Sequence, residues 1–142
     1  MPYFHLTLDN RHQFAASLTP DSWIVACLCA DWCGTCKSYQ APFAALAERF
    51  PECQFLWLDI EDHADLTADL DIENFPTLLI QRGEETAFFG TMLPEIALAQ
   101  RLIEVQLATD PAQINKQHRA VQAALGVNCN LRQWLRDAGV EN

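Results

Sequence analysis

Trp32-Cys33-Gly34-Thr35-Cys36-Lys37 places two thiols within four positions, directly after an apolar run and directly before a helical pattern. Such a pair can cycle between dithiol and disulfide and so move electrons between thiols and disulfides. The elements that must position it are legible on both sides. Trp23 to Ala30 is almost continuously apolar, long enough for a buried central strand and too short for an independent helix or a membrane span. After Lys37, the apolar residues Tyr39, Phe43, Leu46, Ala47 and Phe50 recur at spacings of three and four until Pro51 stops the pattern. Cys33 therefore opens a helix expected over 33–50. The unsatisfied amides and positive dipole end of that helix favour thiolate over thiol, which makes Cys33 the expected nucleophile. Cys36 stands one turn further along the same face, within reach of a disulfide, and is expected to resolve a mixed disulfide. Two cysteines that merely fill a core are the competing reading, which the strand-to-helix junction disfavours.

With its surroundings the motif resembles the thioredoxin family over residues 3 to 107. His5-Leu6-Thr7 is similar to the family's opening strand, the 23–30 run to its central strand, and Ala30 to Lys37 to its active-site turn and helix start. Phe75-Pro76-Thr77 completes the signature. The resemblance implies an α/β thioredoxin fold, a central mixed β-sheet flanked by helices. It also implies a thiol-disulfide oxidoreductase, a protein disulfide reductase in which Cys33 attacks and Cys36 displaces the mixed disulfide, leaving a redox-active Cys33 to Cys36 disulfide. No other cofactor and no metal are then expected. The implied partners are protein disulfide substrates and an external reductant such as a thioredoxin reductase or a glutathione system. Trp32, Gly34, Thr35, Phe75 and Pro76 would form the substrate-binding surface, with Pro76 following a cis peptide bond. Independently of the family, a proline just before Leu78-Leu79-Ile80 belongs at a strand start, where its missing amide does no harm. Two other classes stay open: a redox-gated binding module without efficient turnover, and a metal-thiolate site.

Three departures from the family pattern bear on mechanism. Cys27 stands where thioredoxins carry a buried acid on the central strand, and Trp57 stands where the next strand carries a lysine. Without that acid, Cys36 is expected to lose its proton to water or substrate, and resolution to be slow. Second, Cys27 and Cys29 alternate along the strand and so face one side of the sheet as auxiliary thiols. Four sulfurs at 27, 29, 33 and 36 suit zinc or an iron-sulfur cluster, although a rigid strand is not expected to converge with a helix start. Small buried packing is the expectation for Cys27 and Cys29, with a disulfide from one of them to Cys36 under oxidation as a further option. Third, Thr35 occupies the place of a family proline that would pre-set the helical turn, so a less reducing couple is expected.

The remaining elements follow from periodicity and punctuation. Strands are expected near 3–7, 54–60, 77–81 and 86–90, the last two as a hairpin across Arg82-Gly83-Glu84-Glu85, and helices near 10–17 and 64–70. A helix from Pro94 to about Ala108 should close the sheet's second face with Ile96, Leu98, Leu102, Ile103 and Val105. Residues 1–108 thus form the thioredoxin-like domain. Residues 109–142 extend beyond it with two helices, one carrying Ile114, His118, Val121 and Leu125 on a face, the other capped by Asn130 and carrying Leu131, Trp134, Leu135 and Ala138. Neither buries its stripe alone, so a helical hairpin packed on the domain or on a partner is expected. Cys129 between them is expected either as an exposed thiol or, equally, as a buried cap contact, Cys53 as a structural thiol, and His63 as a loop residue.

The chain has 142 residues, half of them hydrophobic, enough for a core that needs no disulfide framework. Its formal charge of −10 is uneven, with 16 acidic and 5 basic residues up to position 107 and 3 and 4 beyond it. A phosphate backbone would be repelled, so no nucleic acid partner is expected. Asp59, Glu61, Asp62, Asp65, Asp69, Asp71 and Glu73 form an acidic stretch, expected as a solvated face. Neither a signal-peptide pattern nor a membrane span is legible, so no membrane partner and a cytoplasmic location are expected, where cysteines serve catalysis more than structure.

Overall fold

A computed structural model describes residues 3–67, 70 and 72–140. The central element is β2 (Trp23–Cys29), flanked by β3 (Cys53–Asp59) and by β4 (Thr77–Arg82), with β1 (Tyr3–His5) and β5 (Glu85–Thr91) outermost, in the order β1-β3-β2-β4-β5. β1, β3 and β2 run parallel, while β4 is antiparallel to both β2 and β5, so the sheet is mixed as expected. A strand buried on both faces must be apolar throughout, which is why 23–30 shows no alternation.

Side-chain parity then sorts β2 between two cores. Ile24, Ala26 and Leu28 point to one side, where they meet Leu56, Leu58 and Leu79 with Phe14 and Ala15 of α1 (Arg11–Ala16). Val25, Cys27 and Cys29 point to the other, where Phe55, Trp57, Leu78 and Ile80 meet Cys36, Tyr39 and Phe43 of α2 (Gly34–Ala47). Phe43 makes ring contacts with both Phe55 and Trp57, which fix α2 over the strand. Pro42 lies inside α2 and removes the amide that would otherwise bond the Ser38 carbonyl. The short α3 (Ala64–Thr67) follows β3.

α4 (Ile96–Leu107) lies on the same face as α2, not on the second face. Its buried residues are Ala99, Ile103 and Gln106, while Leu98 and Val105 are exposed. Of the expected stripe, Ile103 is buried and Ile96 and Leu102 pack half-buried against the same core. The second face is covered instead by α1 and by the chain's last helix, α6 (Leu131–Asp137). α5 (Pro111–Leu125) lies along the edge strand β5 and buries Ile114, with Val121 and Leu125 against the core. The two C-terminal helices thus pack on their own chain at separate places, one on an edge and one on a face.

Polar contacts make that docking specific. Gln81, wholly buried on β4, donates from Nε2 to Asn130 Oδ1 at 2.6 Å, and its Oε1 accepts from the Leu131 amide at 2.8 Å. Asn130 caps α6 by accepting from the amides of Arg132 and Gln133. The Thr86 amide of β5 donates to His118 Nδ1 at 2.9 Å, and Thr86 Oγ1 to the Cys129 carbonyl. Cys129 is fully buried, the second of its two expected readings. His63 is also buried: Arg11 donates to its Nδ1 at 2.7 Å, its Nε2 faces the Leu6 carbonyl at 3.0 Å, and Arg11 also binds Asp65 through two nitrogens. Of the acidic stretch, Asp59 is buried and accepts from the amides of Glu61 and Asp62, while Glu61, Asp62 and Glu73 are exposed. Asp69 and Asp71 lie outside the described residues.

Asn130→Ala removes a helix cap and an acceptor for a buried amide together, and should destabilise the fold by about 2 kcal/mol. The urea midpoint checks this, and an unchanged midpoint would show that α6 docks without the cap. The Glu84 carboxyl is held below its ordinary value, first by hydrogen bonds from Arg136. Its contribution is thus present above the ordinary carboxylate range and lost as pH falls through the lowered folded value. Glu84→Gln should narrow the stability difference between pH 7 and pH 3 in the same urea assay.

Candidate active site

Cys33 is the N-cap of α2, with extended backbone (φ −86°, ψ 119°). Its amide donates to the Ala30 carbonyl at 3.0 Å and its carbonyl accepts from Lys37 at 3.1 Å, so the turn out of β2 and the first turn of α2 are joined through this residue. Its thiol is unbonded and half-buried. Trp32 is 67% exposed, and its ring meets Phe75 edge to face at 5.6 Å. The Phe75-Pro76 bond is cis, and the Pro76 carbonyl accepts from the Met92 amide. Leu28 pairs with Thr77 across β2 and β4, which brings the end of β2 beside the proline that opens β4.

Gly34 and Thr35, both exposed, line a groove of about 570 Å³ with Ser38, Tyr39 and Pro42 of α2 and with Pro94 and Ile96. Trp32, Phe75 and Pro76 are not part of its lining, so the expected substrate residues divide between two surfaces. Pro94 and Ile96 escaped the sequence reading, which assigned them to a helix start and a core stripe. The relevant signal was Leu93-Pro94: Leu93 is 66% exposed where the chain leaves β5.

The structure holds the auxiliary pairing to Cys36 rather than the one the catalytic cycle would leave. The disulfide in the structure joins Cys29 to Cys36, not Cys33 to Cys36. The strand and the helix start do converge, because the odd residues of β2 face α2 and set the two Cα atoms 5.8 Å apart. Both bonded cysteines are 1% exposed. Cys27 Sγ lies 3.8 Å from Cys29 Sγ in the same core, and burial pushes the Cys27 thiol far above its ordinary range. Burial likewise pushes the Cys53 and Cys129 thiols up to about 12. Among the described residues no group of three or more His, Cys, Asp or Glu side chains is arranged around a metal position.

Cys27 and Trp57 pair directly across β2 and β3, so the thiol and the indole that replace an acid and a base are neighbours. On this side Cys36 borders a cavity of about 140 Å³ whose walls include Asp31, Lys37, Gln40, Trp57, Asp59 and Asp62. Cys36 therefore adjoins a polar space, although its sulfur is bonded into the strand-side core.

The fold and a Cys-x-x-Cys at the N-terminus of α2 define the thioredoxin class of thiol-disulfide oxidoreductases. The thioredoxin family model matches residues 5–104, and the chain belongs to that family. Mouse thioredoxin is 30% identical over 86 residues, covering 58% of this chain and 82% of its own length. Thioredoxin-1 of Saccharomyces cerevisiae is 29% identical over 76 residues, covering 53% and 74%. Among solved structures, Chlamydomonas reinhardtii thioredoxin f2 superposes with a TM-score of 0.62 at 19% identity, covering 76% of this chain and 99% of that one.

Thr35→Pro should make the couple involving Cys36 more reducing by on the order of 30 mV, a tenfold change in the exchange constant. Equilibration in graded glutathione buffers reads this directly. An unchanged potential would show that the groove-facing threonine does not set it.

Proposed function

We propose that the protein reduces disulfides in protein substrates, with Cys33 as nucleophile and Cys36 as resolving thiol. The observation that carries this reading is the unbonded, half-buried Cys33 at the N-cap of a 14-residue helix, with Cys36 buried on the same helix. Cys33 thiolate attacks one sulfur of the substrate disulfide, and the electron pair leaves on the other substrate sulfur. Cys36 then attacks Cys33 Sγ and releases the second substrate thiol. Trp32 and Phe75 offer an apolar contact beside the nucleophile, while Gly34 and Thr35 open onto the groove toward Pro94. A backbone beside Pro76 can hold an extended segment by strand-like hydrogen bonds.

The resolving step lacks the acid on β2, so the proton of Cys36 passes to water in the adjoining polar cavity or to the departing substrate thiolate. An external reductant, a thioredoxin reductase or a glutathione system, resets the site. Four unpaired thiols suit a cytoplasmic setting, in which the protein would serve electron transport to disulfides and redox homeostasis.

Insulin reduction with dithiothreitol as electron donor tests the assignment. Cys33→Ser should lower turnover by at least about a thousandfold, in line with loss of a covalent nucleophile. Redox-dependent capture of insulin by the unmodified protein, without turnover, would instead establish a binding module.

A further inference from the structure

Resting on the reductase reading, we infer that Cys29 is a second resolving thiol: it takes Cys36 from Cys33, so that the oxidised protein keeps a free nucleophile at its surface. Three observations converge. The bond in the structure is Cys29 to Cys36, with Cys33 unbonded. The backbone holds the Cα atoms of 29 and 36 at 5.8 Å, in the middle of the range that a disulfide spans without backbone movement. Burial separates the sulfurs by accessibility, since Cys29 and Cys36 are 1% exposed whereas Cys33 is half-buried at the helix N-terminus.

The exchange balances without an added oxidant. Substrate reduction leaves the Cys33 to Cys36 disulfide. Cys29 attacks Cys36 Sγ. The bond from 36 to 33 breaks as the bond from 29 to 36 forms, and the electron pair leaves on Cys33 Sγ, which takes up the proton that Cys29 gives up. One disulfide is lost and one gained. The direction follows from solvation: a buried thiolate is disfavoured, so pairing the two dry sulfurs and releasing the wetter one is the better arrangement. Cys27, 3.8 Å from Cys29, stays protonated because burial raises its thiol.

The consequence is a second activity. With Cys36 held by Cys29, Cys33 can attack another disulfide but has no neighbour to resolve the product. The oxidised protein then acts as a single-thiol reagent that holds its partner as a mixed disulfide until a reductant frees Cys36. The sequence placed Cys33, Cys36 and the auxiliary thiols in one region, but not this division of labour.

The test uses the full chain, reduced and then oxidised with a limiting amount of diamide, quenched in acid, alkylated and mapped by mass spectrometry. The expected product is a peptide pair linking Cys29 to Cys36. The native oxidised protein should still release one thiolate per chain from 5,5′-dithiobis(2-nitrobenzoate), on Cys33, because the other unpaired thiols are fully buried. Cys33→Ser should still form the 29 to 36 bond, and Cys29→Ala should lose the reactive thiol of the oxidised state. A Cys33 to Cys36 linkage with no reactive thiol in the oxidised wild-type protein overturns the inference. Insulin turnover is measured separately, so turnover with a 33 to 36 linkage sinks only the exchange. A mapped 29 to 36 bond without turnover sinks the reductase reading alone.

Discussion

The parity of β2 is the constraint on which the rest of the structure depends. Hydrogen-bonded on both edges, by β3 in parallel and β4 in antiparallel register, this strand has no freedom to rotate or slip. A shift of one residue would send Val25, Cys27 and Cys29 to the side of α1, and Ile24, Ala26 and Leu28 to the side of α2. The same pairing fixes where β2 ends, hence where Cys33 caps α2 and where Pro76 enters β4. The sulfur geometry is therefore a property of strand register first and of the active-site turn second.

The β5 edge, and the part of the far face that α1 leaves, are occupied by material outside the matched family region. α5 runs along β5, an edge strand that would otherwise present unpaired backbone groups, and His118 accepts from one of its amides. α6 seals the side opposite α2 through Gln81, Asn130 and the arginines that hold Glu84. The extension thus reinforces the sheet from the side away from Cys33 and leaves the N-terminus of α2 and its groove uncovered by either helix.

Much of this was legible because it depends on period and punctuation. The apolar 23–30 run, the three-and-four spacing after Lys37, the proline before Leu78 and the Asp110-Pro111 and Asn130 starts each report a local conformation. What the sequence left open or misplaced has a different origin. α4 was assigned to the wrong face because periodicity shows that a helix has an apolar side, not which sheet face receives it. His63 and Cys129 look like loop residues in sequence, yet each is buried by partners distant along the chain, Arg11 and Leu6 in one case and Thr86 in the other. The Cys29 to Cys36 bond stands in the sequence as one option among several for the same reason. It joins a strand to the helix that crosses above it, and only the packing of Phe43 on Phe55 and Trp57 sets that height.

Replacement of an acid and a base by Cys27 and Trp57 changes what the core can do with a proton. A carboxylate on β2 would sit against α2 and accept from the resolving thiol, and it would also oppose any further buried negative charge. A thiol at that place does neither, because burial keeps it neutral. The strand side of the site is consequently dry and uncharged, and polar groups meet Cys36 only from the cavity lined by Asp31, Lys37 and Asp59. With a thiol at 27, sulfur from 27, 29 and 36 shares one apolar core beneath α2. The same face of β2 that carries the neutral Cys27 also carries Cys29, the strand partner of Cys36 in the disulfide.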